Sequence, residues 1–72
     1  MKENKNKRLL RYIEWRSKEN TMQYLIGTYP IFVYKIQQQR LLEVAKAISS
    51  LPDYTEAICS IHEDADKVGV IL

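Results

Sequence analysis

One cysteine, Cys59, and one histidine, His62, are the only residues of their kinds in this chain of 72 residues. A single cysteine cannot form a disulfide within the chain, and the two residues together cannot supply the four ligands of a structural zinc site. A domain of this size buries only about 60% of the surface that its unfolded chain exposes, so its core is marginal without cross-links. We therefore expect a homodimer, or a fold that depends on a partner.

The lone cysteine also favours a reducing compartment. The chain starts with basic residues, but Arg11, Glu14 and Arg16 interrupt the apolar segment that a signal peptide would need. The longest uncharged stretch, residues 20–34, is too short and too polar to cross a bilayer. We expect a cytoplasmic protein with no membrane partner. Lys, Asn, Ile and Tyr are frequent. AT-rich coding favours these residue types, which indicates a low-GC bacterium, or a virus that infects one, as the source.

Apolar residues at helical spacing predict two helices. Leu9, Leu10 and Ile13 lie three and four residues apart, which predicts a first helix over about residues 6–19, and we expect residues 1–6 to be disordered. A second helix is predicted over residues 37–51, ended by Pro52. Its apolar stripe consists of Leu41, Val44, Ala45, Ile48 and Leu51.

Four strands are predicted in the remaining segments. Residues 21–36 are rich in β-branched and aromatic types and contain a turn at residues 27–30, which favours a hairpin. Side chains that would point to opposite faces of a strand alternate along residues 56–62 and 67–72, which flank a polar turn and predict a second hairpin. The predicted order is α-β-β-α-β-β, a single α+β domain over residues 1–72. Its two hairpins would form one antiparallel sheet packed by two helices.

No motif in the chain indicates catalysis, a cofactor or a metal. On a strand, Cys59 and His62 would point to opposite faces and could not act together. Two glycines are too few for a phosphate-binding loop, and Asp64 with Asp66 lacks the rest of a calcium loop. We expect a protein that is not an enzyme. An enzyme or small-ligand sensor built on the sheet is the least favoured class, because so short a chain has little volume for a pocket.

Charge changes sign along the chain. Residues 1–20 carry seven cations against three anions, whereas residues 51–72 carry one cation against five anions. The acidic side chains are dense enough to steer a basic partner toward the chain. They favour a protein-binding module, an adaptor or inhibitor, that docks an acidic edge on that partner. The partner would be a basic protein such as one that binds nucleic acid. The predicted edge consists of Glu56, Glu63, Asp64 and Asp66.

The basic end of the chain supports an alternative function. In this alternative the chain is a nucleic-acid-binding or regulatory protein. Its first helix would bind nucleic acid through cations and through an aromatic ring that stacks on bases. The predicted contact residues are Lys7, Arg8, Arg11, Trp15 and Lys18. Trp15 has two interpretations: it covers the edge of the core, or it is an exposed interface anchor.

Overall fold

A computed structural model describes residues 5–48 and 54–72 and contains three helices. These are α1 (Lys5–Leu25), α2 (Ile31–Ala47) and α3 (Tyr54–Lys67). Each helix packs against the other two, and the molecule measures 40 × 20 × 16 Å. No strand occurs in the described ranges. The predicted α+β fold with two hairpins and a sheet is therefore wrong, and the protein is a three-helix bundle.

The first predicted hairpin is divided between two helices. Residues 21–25 form the end of α1 and residues 31–36 form the start of α2, so only the turn between them is as predicted. The run of β-branched and aromatic residues was misleading because much of it is not buried. Ile31, Phe32 and Ile36 are exposed in α2, so their apolar character does not mark the buried face of a strand.

The second predicted hairpin is largely a single helix. Ala57, Ile61 and Ala65 lie four residues apart and are all buried, which is the periodicity of a helix and not of a strand. The predicted turn of acidic residues is the last part of α3. Residues 68–72 follow this helix without forming a strand.

Both glycines end helices. Gly27 (φ 85°) and Gly69 (φ 72°) adopt the left-handed conformation that residues with a Cβ rarely accept. After α3, Val70 N–H donates to the Ala65 carbonyl and Gly69 N–H to the Asp66 carbonyl. This pair of bonds is the Schellman motif, and the same pair follows α1. Gly27, which was predicted to lie in a hairpin turn, and Gly69 are therefore helix C-terminal caps.

Two apolar clusters hold the bundle together. The larger contains Leu10 and Ile13 of α1 with buried residues of α2 and α3, namely Ala45, Ala57 and Ile61. The smaller lies around the ring of Tyr34 and contains Ala65 and Val70. Along α1 and α2, the buried residues that lie between the two clusters are polar.

The predicted disorder of residues 1–6 is tested only in part. Lys5 and Asn6 belong to α1, and residues 1–4 lie outside the described residues. The predicted end of the second helix, residues 49–51, also lies outside them.

Candidate binding surfaces

A layer of polar side chains lies between the two apolar clusters, and all three helices contribute to it. The Ser17 hydroxyl of α1 donates a hydrogen bond of 2.7 Å to Asp64 Oδ2 of α3. The same hydroxyl accepts a bond of 2.7 Å from Gln38 Nε2 of α2, which also donates to the Ile61 carbonyl at 3.1 Å. Because an unpaired buried polar group is costly, these bonds specify how the three helices are aligned.

Asp64 connects this layer to the surface. Its carboxylate is almost fully buried, with a residue exposure of 3%. Lys18 Nζ lies 3.9 Å from Oδ2, and Lys67 Nζ lies 3.8 Å from Oδ1. Both lysines are largely exposed, so their charges reach Asp64 from the solvent side.

Tyr34 continues the polar layer into the smaller cluster. The Thr21 hydroxyl donates to the Ser17 carbonyl at 2.8 Å, so in its other contact, 2.8 Å from Tyr34 Oη, the phenol is the donor. The Tyr34 ring stacks on Tyr24 with centroids 5.0 Å apart. Burial raises the pKa of the Tyr34 phenol, and the charge of Asp64 adds to the shift.

The orientation of the Asn20 amide is determined by its neighbours. Nδ2 donates to Gln38 Oε1 at 3.0 Å and to the Tyr34 carbonyl at 3.2 Å. A flipped amide would place Oδ1 against two acceptors, so only the observed orientation makes both bonds. Asn20 Oδ1 is thereby left buried, with no hydrogen-bond partner among the described residues.

A cleft of about 290 Å³ opens between α1 and α2 beside Asn20. Its other lining residues are Arg16, Gln37, Arg40 and Leu41. Gln37 Oε1 is also buried without a partner in the described part of the chain. Neither arginine forms an ion pair with a described carboxylate, and no acidic residue lines the cleft. The cleft therefore combines two positive charges with two unused acceptors.

The side of α1 that faces away from the other helices, here called the outer face of α1, is basic and aromatic. All five residues of the predicted nucleic-acid site are exposed on this helix: Lys7, Arg8, Arg11, Trp15 and Lys18. Tyr12 and Met22 are exposed with them, and the Tyr12 and Trp15 rings lie 6.1 Å apart. Trp15 is 56% exposed, which agrees with the interface-anchor interpretation and not with a role in covering the core.

The four residues of the predicted acidic edge do not form one surface. Glu56, Glu63 and Asp66 are exposed on α3, whereas Asp64 turns into the bundle. Each residue of a helix turns by about 100° from the one before it. Glu63 and Asp66, three residues apart, therefore lie on one side of α3, and Asp64 points away from that side. A docking role for the three exposed acids stays a prediction.

Cys59 and His62 are neighbours on the exposed side of α3, because residues three apart on a helix share a side. The prediction that they point to opposite faces of a strand is wrong. Neither residue lines the cleft between α1 and α2. The expectation that the chain is not an enzyme stays a prediction.

Sequence reasoning missed the polar layer and the cleft. Ser17 lies four residues after Ile13 and seven after Leu10, so it continues the apolar stripe of α1. A polar residue in that position signals a buried polar contact. The signal was lost for Asn20, because the predicted first helix ended before it. For Gln38 it was overlooked, since this residue lies inside the predicted second helix, three residues before Leu41 and seven before Ala45.

Residues 5–48 and 54–72 contain no group of three or more His, Cys, Asp and Glu side chains that could hold a metal ion. Within the same ranges, no helix has both the length and the hydropathy required to cross a membrane. No family model, no curated protein and no solved structure matches the chain.

Proposed function

We propose that the protein is a non-catalytic protein-binding module whose docking surface is the outer face of α1. The observation that carries this proposal is the exposure of Tyr12, Trp15 and Met22, each more than half accessible to solvent. They lie on the same helix as Arg8 and Arg11. Trp, Tyr, Met and Arg are the residue types enriched at the centres of protein interfaces, and large apolar groups exposed together often mark such a site.

Charge indicates the chemistry of the partner. The exposed residues of this face include four cations, Lys7, Arg8, Arg11 and Lys18. Two acids of the same helix, Glu14 and Glu19, are only partly exposed and accept hydrogen bonds from Ser60 and Gln23. A complementary partner would be apolar at its centre and acidic around it. This partner differs from the basic one predicted from the acidic edge.

The exposed acids of α3 have a different part in this proposal. No large hydrophobic side chain is exposed among the described residues of α3, so Glu56, Glu63 and Asp66 have no apolar anchor beside them. Exposed charge pairs contribute little affinity, but they change association rates. We assign these residues to electrostatic steering and orientation, and the affinity to the outer face of α1.

Photo-crosslinking in the cells that naturally express the protein tests this proposal. Benzoylphenylalanine replaces Tyr12 or Met22 on the outer face of α1, and Gln39, exposed on α2, provides the matched control position. We expect discrete protein adducts from the first two positions and none from the control. Trp15→Ala in the same chain should lower the adduct yield. Adducts that form equally at all three positions, or at none, would contradict the proposal.

Nucleic-acid binding by the same face is the second candidate function. The exposure of all five predicted contact residues, with two neighbouring aromatic rings on which bases could stack, supports it. In this case the crosslinked adducts would be sensitive to nuclease. Binding to a single-stranded oligonucleotide would fall with salt, with a slope of about −0.7 per phosphate contact. Arg8→Glu combined with Arg11→Glu would abolish it, and a lack of binding at low salt would exclude this candidate.

A further inference from the structure

The cleft between α1 and α2 contains an acceptor that the fold itself leaves unused. Asn20 is 99% buried, and both hydrogens of its amide are committed to Gln38 and Tyr34. Asn20 lines the cleft, and its buried Oδ1 has no partner among the described residues. Buried carbonyl groups in native proteins are nearly always paired, so this atom needs a donor from outside the described chain.

The remaining walls of the cleft restrict what that donor can belong to. Arg16 and Arg40 supply two guanidinium groups, each able to bind a carboxylate through two parallel bonds. Gln37 Oε1 is a second buried acceptor without a partner in the described residues, and Leu41 offers an apolar wall. A water molecule could satisfy the acceptors, but it would leave both cations and the leucine without a counterpart.

We propose that this cleft binds a carboxylate that carries a neutral N–H donor on the neighbouring carbon, together with an apolar side chain. The carboxylate would pair with Arg16 and Arg40, the N–H would donate to Asn20 Oδ1, and the side chain would contact Leu41. A neutral donor fits better than an ammonium group, because two cations and no acid line the site. This is the chemistry of an N-acylated amino acid and of the last residue of a polypeptide.

The expected ligand separates into parts that can be removed one at a time. N-acetyl-L-leucine is the complete probe, 4-methylpentanoate lacks the donor, and N-acetyl-L-leucinamide lacks the carboxylate. Each is titrated into the ¹⁵N-labelled full chain, and the side-chain amide signals of Asn20 and Gln37 are followed by NMR. We expect N-acetyl-L-leucine to bind about tenfold more tightly than either incomplete compound. It should also shift the Asn20 signals.

Matched variants test whether the arginines are responsible. Arg40 is exposed and outside the core, so Arg40→Gln should fold normally and weaken binding of N-acetyl-L-leucine by about tenfold. Lys46→Gln removes a cation from α2 that does not line the cleft and should leave the affinity unchanged. Heteronuclear correlation spectra of both variants confirm that the bundle is intact.

Peptides distinguish the two sources of this chemistry. A hexapeptide ending in leucine that binds more tightly than N-acetyl-L-leucine, and loses binding when its C-terminus is amidated, would identify a polypeptide end as the ligand. Equal binding of both would favour a small molecule. Equal affinity for the complete and incomplete compounds would overturn the proposal. So would the absence of any shift up to about 10 mM, which would leave the cleft to water.

Discussion

Ser17 on α1 donates a hydrogen bond of 2.7 Å to Asp64 on α3, although 47 residues separate them in the sequence. Gln38 of α2 donates to the same hydroxyl, so one serine connects all three helices. A buried hydroxyl with both of its functions in use is sensitive to substitution, because two neighbours lose a partner at once.

Ser17→Ala should lower the free energy of unfolding by about 1–3 kcal/mol. The substitution leaves Asp64 Oδ2 and Gln38 Nε2 with one bond fewer in a buried site. Ser60→Ala is the matched control, because Ser60 makes a single partly buried bond to Glu14 and should cost less than about 1 kcal/mol. Urea unfolding followed by circular dichroism measures both. Equal losses would mean that the polar layer does not specify the bundle.

The four acidic residues once predicted to act together should behave differently. Asp64→Ala should lower the free energy of unfolding by about 1.5–3 kcal/mol, because its carboxylate accepts a buried hydrogen bond. Its two lysine partners are exposed and contribute little. Neutralising Glu56 and Glu63 to Gln and Asp66 to Asn should change stability by less than about 0.5 kcal/mol per site.

The triple neutralisation also tests steering. With a crosslinked partner in hand, stopped-flow measurements at low salt should show faster association for the triple variant, because three charges that repel an acidic partner are removed, and an unchanged dissociation rate. The same association rate before and after neutralisation would return these three acids to a role in solubility alone.

Alkaline pH should remove the contribution that the Tyr34 phenol makes to the stability of the folded protein. Its pKa is raised in the folded state, mainly by burial, so the unfolded chain loses this proton first as the pH passes about 10. The stabilising contribution is fully present below that pH and is lost as the pH rises toward the folded-state value. At neutral pH the free energy of unfolding of wild type should exceed that of Tyr34→Phe by about 1 kcal/mol, since the hydrogen bond to Thr21 is intact.

The difference between these two proteins should then narrow above about pH 10. Urea unfolding across the pH range measures it, and the subtraction removes the titration of the other tyrosines and the lysines. Parallel curves for wild type and Tyr34→Phe would show that the phenol makes no contribution that depends on its proton.

The predicted homodimer has a candidate surface at the turn between α1 and α2. Leu25, Ile26, Ile31 and Phe32 are each more than half exposed and lie in a stretch without charge. Such an apolar end could pair with its copy without repulsion, whereas the basic outer face of α1 could not. Sedimentation should give twice the chain mass of 8.5 kDa at micromolar concentration.

Ile26→Ser with Phe32→Ser should return the sedimenting species to a single chain. Val44→Ser, which removes an exposed apolar residue in the C-terminal half of α2, should leave the dimer intact. A wild-type protein that sediments as a folded monomer would show that the turn is not a dimer surface. It would also remove the argument that so short a chain needs association.

Local patterns predicted those parts of the structure that depend on local physics. Leu9, Leu10 and Ile13 indicated a helix because their spacing places them on one side of it, whatever packs there. The same spacing made the basic residues and Trp15 a plausible common surface, and all of them are exposed on α1. The turn at Gly27 was predicted because a positive φ favours glycine in any kind of turn.

By itself, then, the sequence determined most of α1, most of α2, the turn between them and the opposite charges of the two ends of the chain. The tertiary structure decided the state of residues 21–36 and 56–67, because short runs of apolar and β-branched residues suit a strand or a packed helix equally well. It also decided that Gly27 and Gly69 cap the ends of helices. Asp64 and Asn20 are buried for the same reason, since the partners that satisfy their polar atoms come from other helices and exist only once the bundle has formed.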